Sequence, residues 1–440
     1  MVSMRRKKVL IITSSGGGGL LQAANAKQQE LQASDPSTIV ILRDVMKDWT
    51  WEVAGKLFVG LWNQAQKKGN VRAQALLGAL APVVEYFFWP YIFFYALRTL
   101  FREDIDQVID TQVIGTSAVI KALRLFNRKR KKQVHLEKVL VDLPTKKAAH
   151  FFAPIKSLSD RDRKWIRVIT VPPMLEKNET EEQFWRKHCN LSHGELKYED
   201  FYVRQAFRKY RHAERTDDVV VVKTKYKNKE ERKLLERCLQ RGNIRAEVRE
   251  GEVEFQIGAR DRLFTVLLGS QPAGNSTLQY VKQFLQLART CATKEIPAHL
   301  FVFCADHKAG TESLFKQVSD FVAETKDYPS FFTVVPMSFQ TDETIAPLFF
   351  RSDMTCTRCG GQTAMELMAT ARGQIWIHSE AKKEAVTDED FLDGIPSWES
   401  ANAAYMVQAV GAKLVTPDHF TSFGRQLLSP LHLQPLAASP

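Results

Sequence analysis

The sequence predicts an α/β protein made of two parallel-sheet domains in tandem, and three observations support this. Short apolar runs typical of buried strands alternate with helical stretches along the chain. A strand, a glycine-containing turn and a helix follow one another twice, at 8–33 and at 262–288. At 440 residues the chain is also too long for one ordinary core. Because βαβ units build parallel sheets covered by helices on both faces, we expect two tandem Rossmann-like domains with a cleft between them.

The N-terminal domain is predicted to span 1–171. Its first strand, Lys8–Thr13, leads through four glycines into a helix that ends near Ala33. Further strands are expected at 38–42, 107–112 and 138–144, with a helix at 116–127 between the last two.

The remainder of the chain divides into three predicted parts. Residues 172–258 are polar and charged at first and are interpreted as a connector or insertion, with a strand at 219–223, a helix at 228–240 and a strand at 253–258. A second domain follows at 259–415, and the last part, 416–440, could pack back on the N-terminal domain. Later strands of the second domain are expected at 298–306, 331–338, 352–359 and 373–379.

The charge balance favours an anionic partner. A net charge of +12 fits nucleic acid, an acidic membrane surface or phosphorylated small molecules. No recognisable nucleic-acid module is present, so we expect no nucleic acid. Six cysteines are spread thinly, and the apolar run at 9–12 is too short for a signal-peptide core. These features predict reduced thiols and a cytoplasmic location, with a peripheral position at the inner face of a membrane also open.

One segment, "ALLGALAPVVEYFFWPYIFFYAL" at 75–97, is long and apolar enough to reach across a bilayer. Glu85, Pro82 and Pro90 argue against a span, and its many aromatic residues prefer the membrane interface to the membrane centre. Three interpretations stay open: a buried helix pair, a surface segment dipping into an anionic leaflet, and a transmembrane helix.

A glycine turn between a strand and a helix has a physical use. Free N–H groups and the positive end of the helix dipole attract anions at a helix N-terminus, and glycine lets a ligand approach the backbone closely. Tight turns also use glycine for steric reasons alone. The first turn is expected to form the floor of an acceptor cleft through Gly16, Gly17, Gly18 and Gly19.

The most specific signal is "SDMTCTRCGGQTAMELMA" at 352–369. A Gly-Gly turn that runs into a helix beginning with Gln362 and Thr363 presents donors to a diphosphate. Glu366, one turn further on, could accept hydrogen bonds from both hydroxyls of a ribose or lie as an ordinary charge on a helix surface. Arg358 could compensate phosphate charge or pair with a carboxylate. Strand alternation would send Cys356 and Cys359 to opposite faces, so no metal site is expected.

These motifs resemble those of GT-B glycosyltransferases, in the branch that contains the lipid II-forming transferase of peptidoglycan synthesis and the monogalactosyldiacylglycerol synthases. The resemblance covers most of the chain, although each motif is short. It implies a metal-independent transferase that needs no tightly bound cofactor and takes a nucleotide sugar as co-substrate. It implies donor-binding roles for the Gly-Ser turn, the late motif and "WESANA" at 398–403, namely for Gly269, Ser270, Gln271, Arg358, Gly360, Gly361, Gln362, Thr363, Glu366, Glu399 and Asn402.

The glycine loop departs from that branch. A histidine, the general base for the acceptor hydroxyl in the family, should end the loop, whereas Leu20 follows Gly19 here. Candidate bases are His150 and Asp142, which lie at the C-terminal end of an N-domain strand, at the edge where α/β sheets bind ligands. His150 is favoured because its pKa suits base chemistry near neutral pH. Asp110 and Thr111, at the end of the preceding strand, could also face the cleft.

The sequence and the resemblance therefore predict a glycosyltransferase that moves a sugar from a UDP- or GDP-linked donor to an acceptor, with a lipid, a protein and a membrane-associated acceptor all left open. Two alternatives stay open: a catalytically silent module of the same architecture that binds a membrane or a partner, and a nucleotide-sugar epimerase.

Overall fold

The computed structural model describes residues 6–14, 18–49, 70–128, 130–215, 218–270, 272–290, 296–304 and 313–424. It also describes positions 57, 60, 61, 64, 65 and 68. Two six-stranded sheets and one three-stranded sheet form the framework of these residues. All pairings within the two larger sheets are parallel, and those of the small sheet are antiparallel.

The N-terminal sheet has the strand order β2-β1-β3-β4-β5-β6. Its interior strand β1 is fully buried along Val9, Leu10 and Ile11, as expected for a strand covered on both faces. The strands are β1 (Lys8–Thr13), β2 (Ile39–Asp44), β3 (Gln107–Asp110), β4 (Leu136–Val139), β5 (Ile166–Thr170) and β6 (Leu196–Tyr198).

The helices of this half begin with the helix after the glycine loop. Gly115 precedes the helix that follows β3. Its φ of 81° lies in the left-handed region, which glycine adopts without steric cost. The helices are α1 (Gly18–Ser34), α2 (Val45–Asp48), α3 (Val71–Ala79), α4 (Ala81–Glu103), α5 (Thr116–Asn127), α6 (Ala149–Lys156) and α7 (Asp160–Arg163).

The segment predicted as a connector contributes to two units. Its strand β6 extends the N-terminal sheet, and the small sheet has the order β7-β9-β8. Its elements after β5 are α8 (Glu181–Cys189), α9 (Gln205–Arg208), β7 (Val220–Lys225), α10 (Lys229–Leu239), β8 (Arg245–Val248) and β9 (Glu252–Ile257).

The C-terminal sheet has the order β12-β11-β10-β13-β14-β15. The direction of the strand order reverses between β10 and β13, and ligands of open α/β sheets bind at the carboxyl ends of such strands. The strands are β10 (Arg262–Leu267), β11 (Ala298–Phe303), β12 (Phe332–Met337), β13 (Met354–Thr357), β14 (Gln374–His378) and β15 (Lys413–Val415). The helices are α11 (Gly274–Thr290), α12 (Leu314–Glu324), α13 (Asp342–Arg351), α14 (Gly361–Thr370), α15 (Asp388–Asp393), α16 (Ser397–Val410) and α17 (Pro417–Gly424).

The predicted fold class, two tandem Rossmann-like α/β domains, is confirmed by these two sheets. The described part of the terminal segment, α17, packs on α11 of its own domain. Phe420 is fully buried there, with its ring 4.6 Å from that of Phe284. Residues 425–440 lie outside the described part of the chain.

The aromatic segment, 75–97, forms the end of α3 and most of α4. One side of α4 is buried through Ile92, Ala96 and Leu100. The opposite side is exposed at helical spacing through Val83, Tyr86, Phe87, Tyr91, Phe94, Tyr95 and Phe101, which we call the aromatic face. Of the three interpretations, a buried helix pair therefore describes only the buried side of α4.

The membrane-span alternative can be compared with the helices that the structure describes. None of them is by itself both long and apolar enough to cross a bilayer. Val71–Ala79 and Val83–Glu103, bent by 52° relative to each other, satisfy the length and composition test only as a pair.

Candidate active site at the junction of the two domains

Both glycine turns of the C-terminal domain lie at the carboxyl ends of central strands. Gly269, after β10, has a φ of 87°, a left-handed conformation that favours glycine, and an added Cβ would meet nothing within 4 Å. Ser270 beside it is exposed. Gln271 lies outside the described residues. This turn therefore leaves room for a ligand beside its backbone.

The two adjacent glycines before α14 have different surroundings. A Cβ on Gly360 would meet no atom within 4 Å. A Cβ on Gly361 would lie 2.0 Å from the carbonyl oxygen of Val141 and 2.5 Å from Oδ1 of Asp142, both in the N-terminal domain. Gly361 is thus required for close approach of the two domains, and the open side of this turn is at Gly360.

Asn402 of α16 joins the two domains and is fully buried. Its Nδ2 donates hydrogen bonds to Oδ1 of Asp142 at 2.7 Å and to the carbonyl oxygen of Cys359 at 2.9 Å. Its Oδ1 accepts a hydrogen bond from the backbone N–H of Leu143 at 2.7 Å. A residue predicted on the donor side and a candidate base on the acceptor side are therefore in direct contact.

Glu366 is buried and ion-paired rather than lying on a helix surface. Arg204, in the loop before α9, donates to its two carboxylate oxygens at 2.7 and 2.8 Å, and Nε2 of Gln362 donates at 2.9 Å. Burial opposes the charge on Arg204, but the hydrogen bonds and the charge of Glu366 raise the pKa of Arg204. A ribose at Glu366 would have to compete with this guanidinium. No motif in the sequence pointed to Arg204.

Arg358 pairs with a carboxylate, which was one of the two roles expected for it. Its guanidinium donates to both oxygens of Glu399, at 2.8 and 3.1 Å. Its NH2 group also approaches Oε1 of Gln74, on α3 of the N-terminal domain, at 3.4 Å. Glu399, another predicted donor-site residue, is buried beside it.

A cleft of about 250 Å³, including the solvent at its mouth, lies between α3 and the carboxyl end of the C-terminal sheet. Its lining residues come from both domains and are Val71, Gln74, Arg358, His378, Glu380, Gly394, Pro396 and Glu399.

Two of the residues that line this cleft, His378 and Glu380, belong to a hydrogen-bonded chain of four polar side chains. Ser276 donates to Glu380 at 3.1 Å, and Glu380 lies 3.0 Å from Nε2 of His378. Tyr280 lies 3.0 Å from Nδ1 of the same imidazole. Burial opposes ionisation of Glu380, but the hydrogen bond and charge of His378 keep the pKa of Glu380 below its usual value. Sequence reasoning missed this chain because its members come from different elements; the place of His378 at the end of β14 is the one signal that could have indicated it.

The residues after the N-domain strands differ in their surroundings. Asp110 is buried with Lys138, and their charged groups are 2.9 Å apart, while Thr111 donates to the carbonyl oxygen of Ile12. Asp110 and Thr111 were expected to be able to face the cleft. Instead, both side chains are buried and make their contacts with neighbouring strands inside the N-terminal domain. Asp142 lies at the domain junction, and His150 lies in the first turn of α6, where its side chain is outside the described residues.

The first glycine loop is described only at its end. Gly16 and Gly17 lie outside the described residues, whereas Gly18 and Gly19 begin α1. A Cβ on Gly19 would meet no atom within 4 Å. Helix α1 packs against α14, so the helices that follow the first and the late glycine turns meet at the junction.

The two cysteines of the late motif contact different partners. Cys356 interacts with Tyr280, and the sulfur of Cys359 lies 3.4 Å from that of Met406. Across the described ranges, no group of three or more His, Cys, Asp or Glu side chains is arranged to hold a metal ion. Thr363 is half-buried in the first turn of α14.

No protein-family model matches the chain, and no curated protein matches it. Similar solved structures include MurG of Acinetobacter baumannii, with 14% identity, a TM-score of 0.45 and coverage of 97% of this chain and 91% of that one. A putative UDP-N-acetylglucosamine 2-epimerase of Listeria monocytogenes has 9% identity, a TM-score of 0.45 and coverage of 97% and 88%. The spinosyn rhamnosyltransferase SpnG, complexed with thymidine diphosphate, has 11% identity, a TM-score of 0.43 and coverage of 96% and 89%. At such identities and TM-scores, no substrate and no residue role is carried over to this chain.

Proposed function

We propose that the chain is a nucleotide-sugar-dependent glycosyltransferase of GT-B type, with the donor in the C-terminal half and the acceptor in the N-terminal half. One observation carries the proposal. Asn402, expected at the donor sugar, and Asp142, a candidate base for the acceptor, are 260 positions apart in the chain and 2.7 Å apart in space. Sugar transfer requires such a meeting, because the acceptor oxygen attacks the carbon from which the diphosphate leaves.

For the donor, we propose that the diphosphate approaches the open sides of Gly269 and Gly360. Backbone N–H groups at the starts of α11 and α14 would stabilise the charge on the leaving diphosphate. Arg358 would add a cation once it exchanges Glu399 for phosphate oxygens. Gln362, Thr363 and Glu366 remain proposed contacts of the nucleotide.

For the general base, we propose Asp142, with His150 as the second candidate. Asp142 is supported by its position at the junction, whereas the case for His150 rests on the pKa typical of histidine. A base contributes about 10² to 10⁴ in rate. Asp142→Asn should therefore lower turnover by that factor and leave UDP affinity unchanged, and His150→Gln serves as the matched comparison.

A catalytically silent binding module is the second candidate function, and a specific observation favours it. The carboxylate of Glu366 already holds Arg204 and Gln362 and is 2% exposed. If that pair never opens, the ribose has no acceptor there. The missing loop histidine points the same way.

One experiment separates these functions. The full chain is incubated with radiolabelled UDP-glucose, UDP-galactose, UDP-N-acetylglucosamine and GDP-mannose in the presence of membrane lipids and of proteins from a lysate. A labelled lipid or protein product supports a transferase, and an altered sugar on the nucleotide indicates an epimerase. If neither product forms and calorimetry detects no binding of UDP or GDP, the chain is a silent module.

We also propose that the acceptor side lies against an anionic membrane through the aromatic face of α4. Tyr86 and Phe87 are 79% and 67% exposed, and large exposed aromatic side chains suit the membrane interface. Arg98 and Arg102 continue the same side of the helix and could contact lipid phosphates. The net charge of +12 adds a long-range attraction to such a surface.

A further inference from the structure

We propose that Asn402 is a positioning residue that fixes the carboxylate of Asp142 across the domain junction, and that Gly361 makes this contact possible. The proposal rests on the proposed function only where it takes Asp142 to be the base. It assigns to Asn402 a role in the junction in place of direct contact with the donor sugar.

The hydrogen-bonding capacity of the Asn402 amide supports this role. An amide has two N–H donors and one carbonyl oxygen. The two donors are directed to Asp142 and to the carbonyl oxygen of Cys359, and the oxygen accepts from the N–H of Leu143. Since Asp142 and Cys359 offer only acceptors and the N–H of Leu143 only a donor, their chemistry fixes which way the amide points. Its N–H groups are thus in use within the protein, and the side chain is fully buried.

Asn402 contacts the loop after β4 at two successive residues. It accepts from the backbone of Leu143 and donates to the side chain of Asp142, so it fixes both the path of the loop and the orientation of one carboxylate oxygen. Aspartate at position 402 could not donate, and alanine could do neither. The geometry therefore requires an amide of this length.

Gly361 forms the second half of the same contact. The backbone of 359–361 lies against Val141 and Asp142, and a Cβ at Gly361 would come 2.0 Å from the Val141 oxygen. The neighbouring Gly360 has open space at the corresponding position. Together, Asn402 and the Gly361 turn form a seat for the loop that carries Asp142.

This arrangement has a consequence for catalysis. The position of Asp142 relative to a bound donor is set by the donor domain itself, since both parts of the seat belong to that domain. Misplacing a reacting group by about 1 Å can cost about 10² in rate. Loss of the seat should therefore lower kcat and leave the affinity for UDP unchanged.

The test exchanges the two side chains. The variants are Asp142→Asn, Asn402→Asp and the double variant D142N/N402D, which restores an amide–carboxylate pair with its members reversed. Melting temperature is measured for all of them, UDP affinity by calorimetry, and turnover as UDP release from UDP-glucose, UDP-galactose and UDP-N-acetylglucosamine supplied with diacylglycerol vesicles.

We expect each single variant to melt several degrees lower and the double variant to recover part of that loss, because the pair is coupled while the carbonyl oxygen of Cys359 still lacks its donor. Turnover should fall about 10²-fold in Asn402→Asp with the KM for the sugar nucleotide unchanged, and it should stay low in the double variant, where the carboxylate has moved to the other domain.

Several outcomes would overturn the proposal. Additive melting losses would show that the pair is not coupled. Full recovery of turnover in the double variant would show a merely structural contact, and a raised KM in Asn402→Asp would place Asn402 at the donor. If the wild-type chain neither binds UDP nor releases it, the proposed function fails, while the melting data still decide whether the seat exists.

Two glycine variants provide a control that does not depend on activity. Gly361→Ala should lower the melting temperature as the Asn402 variants do, because its methyl group displaces the loop that carries Asp142. Gly360→Ala, judged on melting temperature alone, should change it little. Equal effects of the two would contradict the role assigned to Gly361.

Discussion

At the scale of single residues, the pairing of Arg204 with Glu366 determines how much a substitution of either residue lowers the free energy of unfolding. Removing one partner of a buried ion pair leaves the other charge without compensation, which typically costs about 3–5 kcal/mol. Arg204→Met should therefore destabilise the protein by that amount in denaturant unfolding. The double variant R204M/E366M should lose less than Arg204→Met alone, because no charge stays buried.

The exposed pair of Arg232 with Glu236, on α10, is the matched control. Exposed ion pairs contribute little to stability because solvent screens them, so Arg232→Met should destabilise the protein far less than Arg204→Met does. If Arg204→Met destabilises the protein as little as Arg232→Met does, then Glu366 finds another partner or takes up a proton.

The same residue pair also bears on nucleotide binding. If a ribose reaches Glu366, Glu366→Ala should weaken UDP binding by about 1.5–3 kcal/mol, the scale of a hydrogen bond to a charged group. Calorimetry with UDP measures this directly, and Glu384→Ala on an exposed loop is the control. An unchanged UDP affinity would remove Glu366 from the donor site and favour the silent module.

Glu380 gives the site a predictable response to acid. Burial raises its pKa, but the hydrogen bonds from His378 and Ser276 prevail, so the pKa of Glu380 lies below its usual 4.5. The ionised carboxylate of Glu380 therefore stabilises the folded state, and this contribution is fully present above pH 4.5. It is lost as the pH falls through the pKa that Glu380 has in the folded state, which is lower than 4.5. Unfolding experiments between pH 3 and 7 should show a smaller acid-induced loss for Glu380→Gln than for wild type, with Glu384→Gln as the control. Parallel pH curves would count against this assignment.

At the scale of secondary-structure elements, α4 has one side in the core and one side without a partner. Ile92, Ala96 and Leu100 bury the first side, whereas Phe87, Tyr91 and Phe94 are exposed on the second. The triple variant F87S/Y91S/F94S should therefore fold normally and lose binding to anionic vesicles in sedimentation. Wild-type binding should weaken as salt rises, because basic side chains contribute about 1 kcal/mol each near the lipid surface.

Phe339 provides the control for that variant, since it is an aromatic residue of the C-terminal domain that is 57% exposed. Phe339→Ser should leave vesicle binding unchanged. If the triple variant unfolds, or if it still sediments with vesicles, the aromatic face is not the membrane contact.

The sequence predicted these elements well where the hydrophobic pattern is local. β1, α11 and β13 lie close to where the apolar runs placed them, because buried parallel strands need continuous apolar stretches. It predicted the environment of polar residues less well. Both roles expected for Glu366, a ribose acceptor and a surface charge, left its carboxylate unpaired, yet its partner Arg204 lies 162 positions away and in no motif. Such partners depend on how the two domains meet, and no local spacing records that.

At the scale of the whole molecule, the two domains are joined by polar and close backbone contacts in addition to the chain itself. Asn402 and Gly361 meet the loop after β4, Tyr405 donates to the carbonyl oxygen of Pro172, and Gln74 approaches Arg358. Domains that share such contacts lose them together when either one unfolds. The contacts therefore couple the stabilities of the two halves.

This coupling predicts how the molecule unfolds. We expect the wild-type chain to show one calorimetric transition in which both halves melt together, provided that unfolding is reversible. Gly361→Ala should split or broaden that transition, because its methyl group separates the loop after β4 from the turn before α14 while leaving each sheet intact. Gly360→Ala should keep the single transition. Two separate transitions in the wild-type chain would show that the junction is too weak to couple the domains, and the contact of Asp142 with Asn402 could then not hold a base in place.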